Sequence, residues 1–512
     1  MNQVARTFVF VALVVAILLA LHFLPKITVG DSELRRVSVL SDIIPDVDDA
    51  MGGSGLLPDV PEPPKPITAV QTPSAPVSSD TARHTSAAAG DAVHLQPADT
   101  TGLGAIARSN TGVADSAVNI SPTEITQEGL TPVLDYSQGQ AGGMYHFYRA
   151  LANARQMGRP VRVAYYGDSF IEGDIFTADL RELLQDQFGG SGVGWVDCAS
   201  QVHGFRQSVV HSFSGINEYE VVKRPFSSAN QGIAQRYFTA SEGARITYKG
   251  AKSRRHQQQW DQALFYLRSD GGLRLHATLN GDTTVVDTIS GEPRLQVIAR
   301  NAGYAPDDSL RQLRSMNSVS YTIRGIGSGT LLYGVALEPY RGVVVDNFSM
   351  RGSAGYTLEQ IPSATLVQFA ALRPYDLIVV HFGLNVANSK QSNYSGYTKN
   401  MGRAIEHLRE AYPQASILIV SMPDRDQRTG AGLRTMKGVE ALVAYQQIMA
   451  SDHAVSFFNL FEAMGGNESM KTLVEQGMAN KDYTHINFKG GKHLARLLFD
   501  ALMAGYHSYG FP

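Results

Sequence analysis

A single cysteine, Cys198, stands in 512 residues. That excludes an intrachain disulfide framework and a cysteine-built zinc site. In such isolation Cys198 reads as a small buried apolar residue. Surplus charge is lacking too: 44 Lys and Arg face 47 Asp and Glu, for a formal net charge of −3. No basic balance of the kind that marks a nucleic-acid-binding surface is present, so nucleic acid is not an expected partner. No internal repeat is visible either, which removes the solenoid and propeller architectures.

What is present begins with an uncharged apolar run, residues 7–24, preceded by Arg6 and followed by Lys26. Its length matches the roughly 17–25 residues needed to cross a bilayer, and it exceeds the core of a cleaved signal peptide. The expectation is an N-terminal transmembrane helix within 1–29 that anchors the chain to a membrane. Residues 30–133 are rich in Pro, Ala, Ser, Thr and Gly, especially the stretch PDVPEPPKPITAVQTPSAPVSSD. Such a composition buries too little apolar surface to order itself and reads as a disordered linker.

After the linker the pattern becomes α/β. Residues 145–157 have helical spacing, residues 161–166 form an apolar strand ending in Gly167-Asp168-Ser169, and residues 176–188 are helical again. Strand, polar turn and helix open a parallel α/β fold over 134–198. Short alternating segments then fill 199–340, among them 244–250, 264–269, 273–279, 283–289, 318–323 and 330–337. Asn280-Gly281 between two of them is a hairpin signal. This stretch reads as an inserted β-sandwich-like domain. The α/β pattern resumes over 341–512, with strands at 343–349, 375–383, 415–423 and 454–461. Helices are expected at 397–412, 433–449 and 489–504, the last capped by Asn487.

Open parallel sheets gather functional residues at the carboxyl ends of their strands. Here those ends carry Asp168 and Ser169, then Gly352 and Gly355, then Gly383 and Asn385, while Asp482 and His485 precede the last helix. A serine hydroxyl needs a neighbouring base to become a nucleophile. His485 suits that task, and Asp482 would hold the imidazole tautomer. Donors for an oxyanion would be the backbone N–H groups of Ser169 and Gly352 and the side-chain amide of Asn385. Of the two glycines Gly352 is preferred, as it lies nearer the strand end. Several other groups read as structural. Glu172 and Asp174 look like a solvated helix start, GGSGVGW (189–195) like a flexible loop, and the basic run 252–256 like a solvated one. Trp195 and Tyr340 suit core packing or a sugar stack equally.

GDS, a later glycine, GxN and DxxH, in that order and at those positions, resemble the four sequence blocks of SGNH (GDSL-like) hydrolases. The resemblance covers roughly 135–200 and 340–510. Val386 departs from it, since many members carry Asp after the GxN asparagine. The resemblance implies a three-layer, flavodoxin-like sheet. It also implies Ser169, Asp482 and His485 as the triad, with Ser169, Gly352 and Asn385 as oxyanion donors, and neither metal nor organic cofactor. An SGNH domain interrupted by a β insertion is similar to bacterial peptidoglycan O-acetylesterases, whose insertion is like a carbohydrate-binding module. The expected activity is therefore hydrolysis of O-acyl, chiefly O-acetyl, esters on a cell-envelope glycan, outside the cytoplasm and facing the periplasm. Two alternatives remain: an acetyltransferase acting on extracytoplasmic polysaccharide, and a catalytically idle glycan-binding protein. Alginate-type O-acetyltransferases place their Asp-His pair ahead of the serine, whereas here the serine comes first.

Overall fold

The computed structural model describes residues 127–139, 143–303 and 314–511, with the backbone of two short strands at Thr28–Val29 and Ser32–Glu33. The apolar run at 7–24 and nearly all of the linker lie outside the described residues. Among the described residues no helix is long and apolar enough to cross a membrane.

One sheet has six strands, in the spatial order Val343–Ser349, Val161–Gly167, Leu377–His381, Ser416–Val420, Ser456–Phe458 and Val133–Asp135. The first five pair in parallel, and Val133–Asp135 closes the edge antiparallel. In chain order the parallel strands run 2-1-3-4-5, the flavodoxin-like arrangement. Val161–Gly167, Leu377–His381 and Ser416–Val420 are buried along their whole length. Both faces of a parallel sheet are covered, so its strands are apolar runs rather than alternations. The order reverses after the first strand. Right-handed crossovers therefore place Thr177–Phe188 and Phe488–Ser508 on one face, packed on each other. The other face carries Ser363–Leu372, Ser395–Ala411 and Gly438–Asp452.

Residues between the first two parallel strands build a second, wholly antiparallel sheet. Leu273–Leu279 and Thr283–Ile289 form the expected hairpin, with Asn280 and Gly281 both at positive φ (51° and 82°). The two-sheet sandwich is not formed. Nine strands make one continuous sheet, curled around a core that includes Phe238, Tyr248, Phe265, Tyr321 and Leu332. The cause is Arg236–Gly250, a 15-residue strand that bends at Gly243 (φ 78°), just after the exposed Ser241-Glu242. Its first half pairs with the end of Val209–Glu220 and touches Leu331–Glu338, and its second half pairs with Ser318–Arg324.

This β region is fused to the parallel sheet rather than hung from it. Leu331–Glu338 is buried on both faces: Leu332 and Val335 enter the β core, while Leu331 and Ala336 join the core around the parallel sheet. The glycine-rich 189–195 run is not a free loop. Gly194–Val196 pairs with Leu331–Glu338, and Trp195 is buried against Tyr266 and Phe348. The run 252–256 is a solvated loop as expected, with Lys252, Ser253 and Arg255 exposed, and it is pinned at the surface where Arg254 pairs with Asp179, and Arg255 and His256 with Asp186. Deeper in the junction Glu338 accepts from Arg162 (2.6 Å) and Arg373 (2.8 Å), and Arg373 also holds Asp346 (2.7 Å). Burial pushes the Glu338 carboxyl up, but the two guanidinium groups outweigh it and hold it at about 2.

Candidate active site

The first parallel strand ends at Gly167, and Asp168 caps the short helix Ser169–Asp174 by accepting the Phe170 N–H. This puts Ser169 at the carboxyl edge of the sheet, at the point where strand order reverses. The connections that leave Val161–Gly167 and Leu377–His381 run to opposite faces there, which is where such sheets form a crevice. The opposite wall comes from the last helix. Gly491 makes that approach possible, because a Cβ there would fall 1.7 Å from the Ile175 carbonyl oxygen. Asn487 caps the helix by accepting from Lys489 and Gly490, and His485 lies just before it.

The sequence-predicted triad comes together as a hydrogen-bonded row. Ser169 Oγ lies 3.2 Å from His485 Nε2, and His485 Nδ1 lies 2.8 Å from Asp482 Oδ2. The other carboxylate oxygen of Asp482 accepts the N–H groups of Thr484 and His485, each at 3.0 Å. Burial raises the Asp482 carboxyl, but these N–H groups and the imidazole outweigh it, so its pKa lies below the usual value. The row is open to solvent: the side chains of His485 and Asp482 are 41% and 48% exposed.

Three loops at the strand ends are braced against one another. Met350 N–H donates to the Gly167 carbonyl (2.8 Å), which joins the second loop to the first. Leu384 N–H donates to Asp168 Oδ2 (3.3 Å), which joins the third to the first. Asn385 Nδ2 donates to the Ser353 carbonyl (3.0 Å), which joins the third to the second. That bond uses one of the two amide hydrogens of Asn385 and fixes the direction of the other. Gly352, at φ 78°, has a backbone N–H with no acceptor among the described residues. The Gly355 N–H instead donates to Ser353 Oγ. Of the two candidate glycines, Gly352 is the one with a donor to spare. Burial raises the Asp168 carboxyl to about 6 in spite of the N–H groups it accepts.

One expectation fails beside Ser169. Asp174 is not at a solvated helix start but 2% exposed, with φ 64°. It accepts from Arg181, Thr177, Arg206 and Ser208. Burial raises its carboxyl and the two arginines outweigh that, which leaves it far below the usual carboxylate range. Arg206 and Ser208 belong to the segment leading into the β region, so Asp174 ties the Ser169–Asp174 turn to it. Glu172 pairs at the surface with Arg351.

No protein-family model matches the chain, and no curated protein is found to match it. Among solved structures it is similar to a peptidoglycan O-acetylesterase, with TM-score 0.58 and 20% identity, over 73% of this chain and 99% of that one. A family 2 carbohydrate esterase with a carbohydrate-binding domain from Corynascus thermopiles (Myceliophthora fergusii) aligns at TM-score 0.26 and 12% identity, over 57% and 99%. A family two carbohydrate esterase from Clostridium thermocellum aligns at 0.22 and 10%, over 56% and 97%. Scores that low carry nothing further. The first match is long enough to run through the antiparallel sheet as well as the parallel one, and in its fold the chain resembles a peptidoglycan O-acetylesterase with an inserted β domain.

Proposed function

We propose that this chain is a serine esterase that removes O-linked acetyl groups from a cell-envelope glycan, with peptidoglycan the first candidate. The observation that carries the reading is the Ser169–His485–Asp482 row at the carboxyl edge of the parallel sheet. Ser169 Oγ attacks the ester carbonyl as His485 Nε2 takes its proton. Asp482 keeps the other ring proton on Nδ1 and stabilises the imidazolium. Charge then develops on the carbonyl oxygen, which the N–H groups of Ser169 and Gly352 and the second amide hydrogen of Asn385 would stabilise as donors. The sugar hydroxyl leaves with the proton from His485. Water, deprotonated by the same imidazole, next releases acetate from the serine.

An exposed triad suits an ester on a bulky polymer rather than a lipid drawn into a tunnel. The solved O-acetylesterase of similar fold is named for peptidoglycan. A membrane anchor at residues 7–24 would hold the catalytic part outside the cytoplasm, on the side where such glycans lie.

The test compares the purified chain with Ser169→Ala on 4-nitrophenyl acetate and on O-acetylated peptidoglycan. Acetate release from both substrates, lost in the variant, is expected. Cleavage of the small ester alone removes the peptidoglycan assignment. Acetate passed to an added glycan instead of water makes the chain a transferase, and no activity on either substrate removes the esterase reading.

A further inference from the structure

A cavity of about 580 Å³ lies between the catalytic crevice and the antiparallel sheet, with Gly352 on its catalytic side. Its other wall is built by the strand pair Val209–Glu220 and Arg236–Gly250, in which Glu220 faces Arg236 in register. Arg236, 8% exposed, is the shared cation of three carboxylates that line the cavity. It lies 2.5 Å from Asp197, 3.6 Å from Glu218 and 3.8 Å from Glu220. Lys223 is taken by Glu220 at 2.5 Å.

Three polar groups lining this cavity are left without hydrogen-bond partners among the described residues. Glu218, whose side chain is 14% exposed, accepts no hydrogen bond and is ion-paired with Arg236 at 3.6 Å. Arg236 Nε donates to nothing. His211, 5% exposed and stacked on Tyr248, has an unpartnered Nε2. Burial and Arg206 keep that ring neutral. Buried polar groups are nearly always satisfied, so a guanidinium nitrogen and an imidazole nitrogen without partners, beside a carboxylate that accepts no hydrogen bond, suit a polar occupant. The carboxylates reject an anion, while the nearly balanced charge suits a neutral ligand with paired donors and acceptors. Vicinal hydroxyls on a sugar ring have that pattern.

We propose that the cavity is a saccharide subsite holding a sugar unit next to the acylated one, with Glu218 accepting its hydroxyl protons and Arg236 and His211 completing the contacts. It rests on the glycan-esterase reading for its link to the reacting ester, since Gly352, the proposed oxyanion donor, lines the cavity. Glu218 titrates in the range where binding would show it: burial, with Asp197 and Glu220 against Arg236 and Lys223, brings its carboxyl up to about 7.

The test uses chitotetraose, titrated calorimetrically into the full chain carrying Ser169→Ala, so that binding is read without ester cleavage. Binding near 1 mM or tighter is expected at pH 8, weakening as pH falls to 6. Adding Glu218→Ala should raise Kd by about tenfold or more, the loss of a charge-assisted acceptor. Adding Glu218→Gln should recover part of the affinity and abolish its pH dependence, with unchanged melting temperature as the check on folding. Unaltered affinity in both Glu218 variants, or no heat up to about 20 mM chitotetraose, overturns the subsite. Acetate release by the wild-type chain is scored separately, so an inactive esterase that binds the probe and an active one that ignores Glu218 are told apart.

Discussion

Asp482→Asn isolates one link in the proposed mechanism. In the structure one carboxylate oxygen of Asp482 accepts two backbone N–H groups and the other faces His485 Nδ1 at 2.8 Å. An asparagine that keeps the backbone bonds must turn its NH₂ toward the imidazole. Nδ1 then becomes an acceptor and the ring proton moves to Nε2, facing Ser169 Oγ. The base is filled before the reaction starts. Loss of the correct tautomer in a Ser-His-Asp triad costs about 10⁴ in kcat. Here both side chains are over 40% exposed, so water replaces part of the lost support. The expected loss is therefore nearer about 10³, or roughly 4 kcal/mol in the barrier. Stability should barely change, since the loop bonds persist. The assay is 4-nitrophenyl acetate hydrolysis from pH 6 to 9, with KM and kcat separated. A kcat within tenfold of wild type would refute the assigned role, because a wrongly protonated base cannot sustain that rate.

Two further outcomes concern the frame. Asp168, raised to about 6 by burial against 3.8 when unfolded, contributes stability fully present below pH about 4 and lost as pH rises through about 6. Asp168→Asn should remove that slope, narrowing its gap to wild type by about 3 kcal/mol between pH 4 and 7 in denaturant titrations; a constant gap counts against the buried acid. Arg373→Met should cost about 3–5 kcal/mol, because Asp346 and Glu338 would keep buried charges with one cation removed. Urea midpoints read this, and a loss under 1 kcal/mol would show the network to be hydrated.

Much of the site was legible because the chemistry sits where local signals are strong. Apolar runs followed by Gly-Asp-Ser, by glycine and by Gly-Leu-Asn mark strand ends, and Asn487 marks the helix start that carries His485 to the crevice. What stayed hidden depends on distant partners. Asp174 is polar and sits near a helix start, so only the arrival of Arg181 and Arg206 reveals it as buried. Arg236–Gly250 looks like separate strands because its alternation breaks at the exposed bend, and that break disguised one sheet as a sandwich. The helix expected at 433–449 begins instead at Gly438, since Asp426–Thr429 and Gly432–Thr435 first form a hairpin beneath the Tyr483 carbonyl. The Arg162–Glu338–Arg373–Asp346 network draws on four remote segments and leaves no trace but charges in otherwise apolar runs.

The two halves of the site are held in unlike ways, and Gly491→Ala separates them. Ser169, Gly352 and Asn385 sit on loops that brace one another, whereas His485 reaches Ser169 only as far as the last helix can descend. At position 491 a Cβ would meet the Ile175 carbonyl oxygen at 1.7 Å, backbone against a helix that cannot bend locally. The helix must retreat by an ångström or more, and the 3.2 Å contact from Ser169 to His485 opens with it. Misplacement of about 1 Å costs on the order of 10² in rate, and the overpacking itself about 1–3 kcal/mol of stability. Gly396→Ala is the matching control, also in a helix but with nothing within 4 Å of the added Cβ. The expected result is a large fall in kcat for Gly491→Ala with burst labelling of Ser169 slowed in proportion, and no fall for Gly396→Ala. Equal activities would mean that the Asp482–His485 segment follows the nucleophile turn and not the helix, which would move the positioning of the base from Gly491 to the hydrogen bonds of the 479–486 loop.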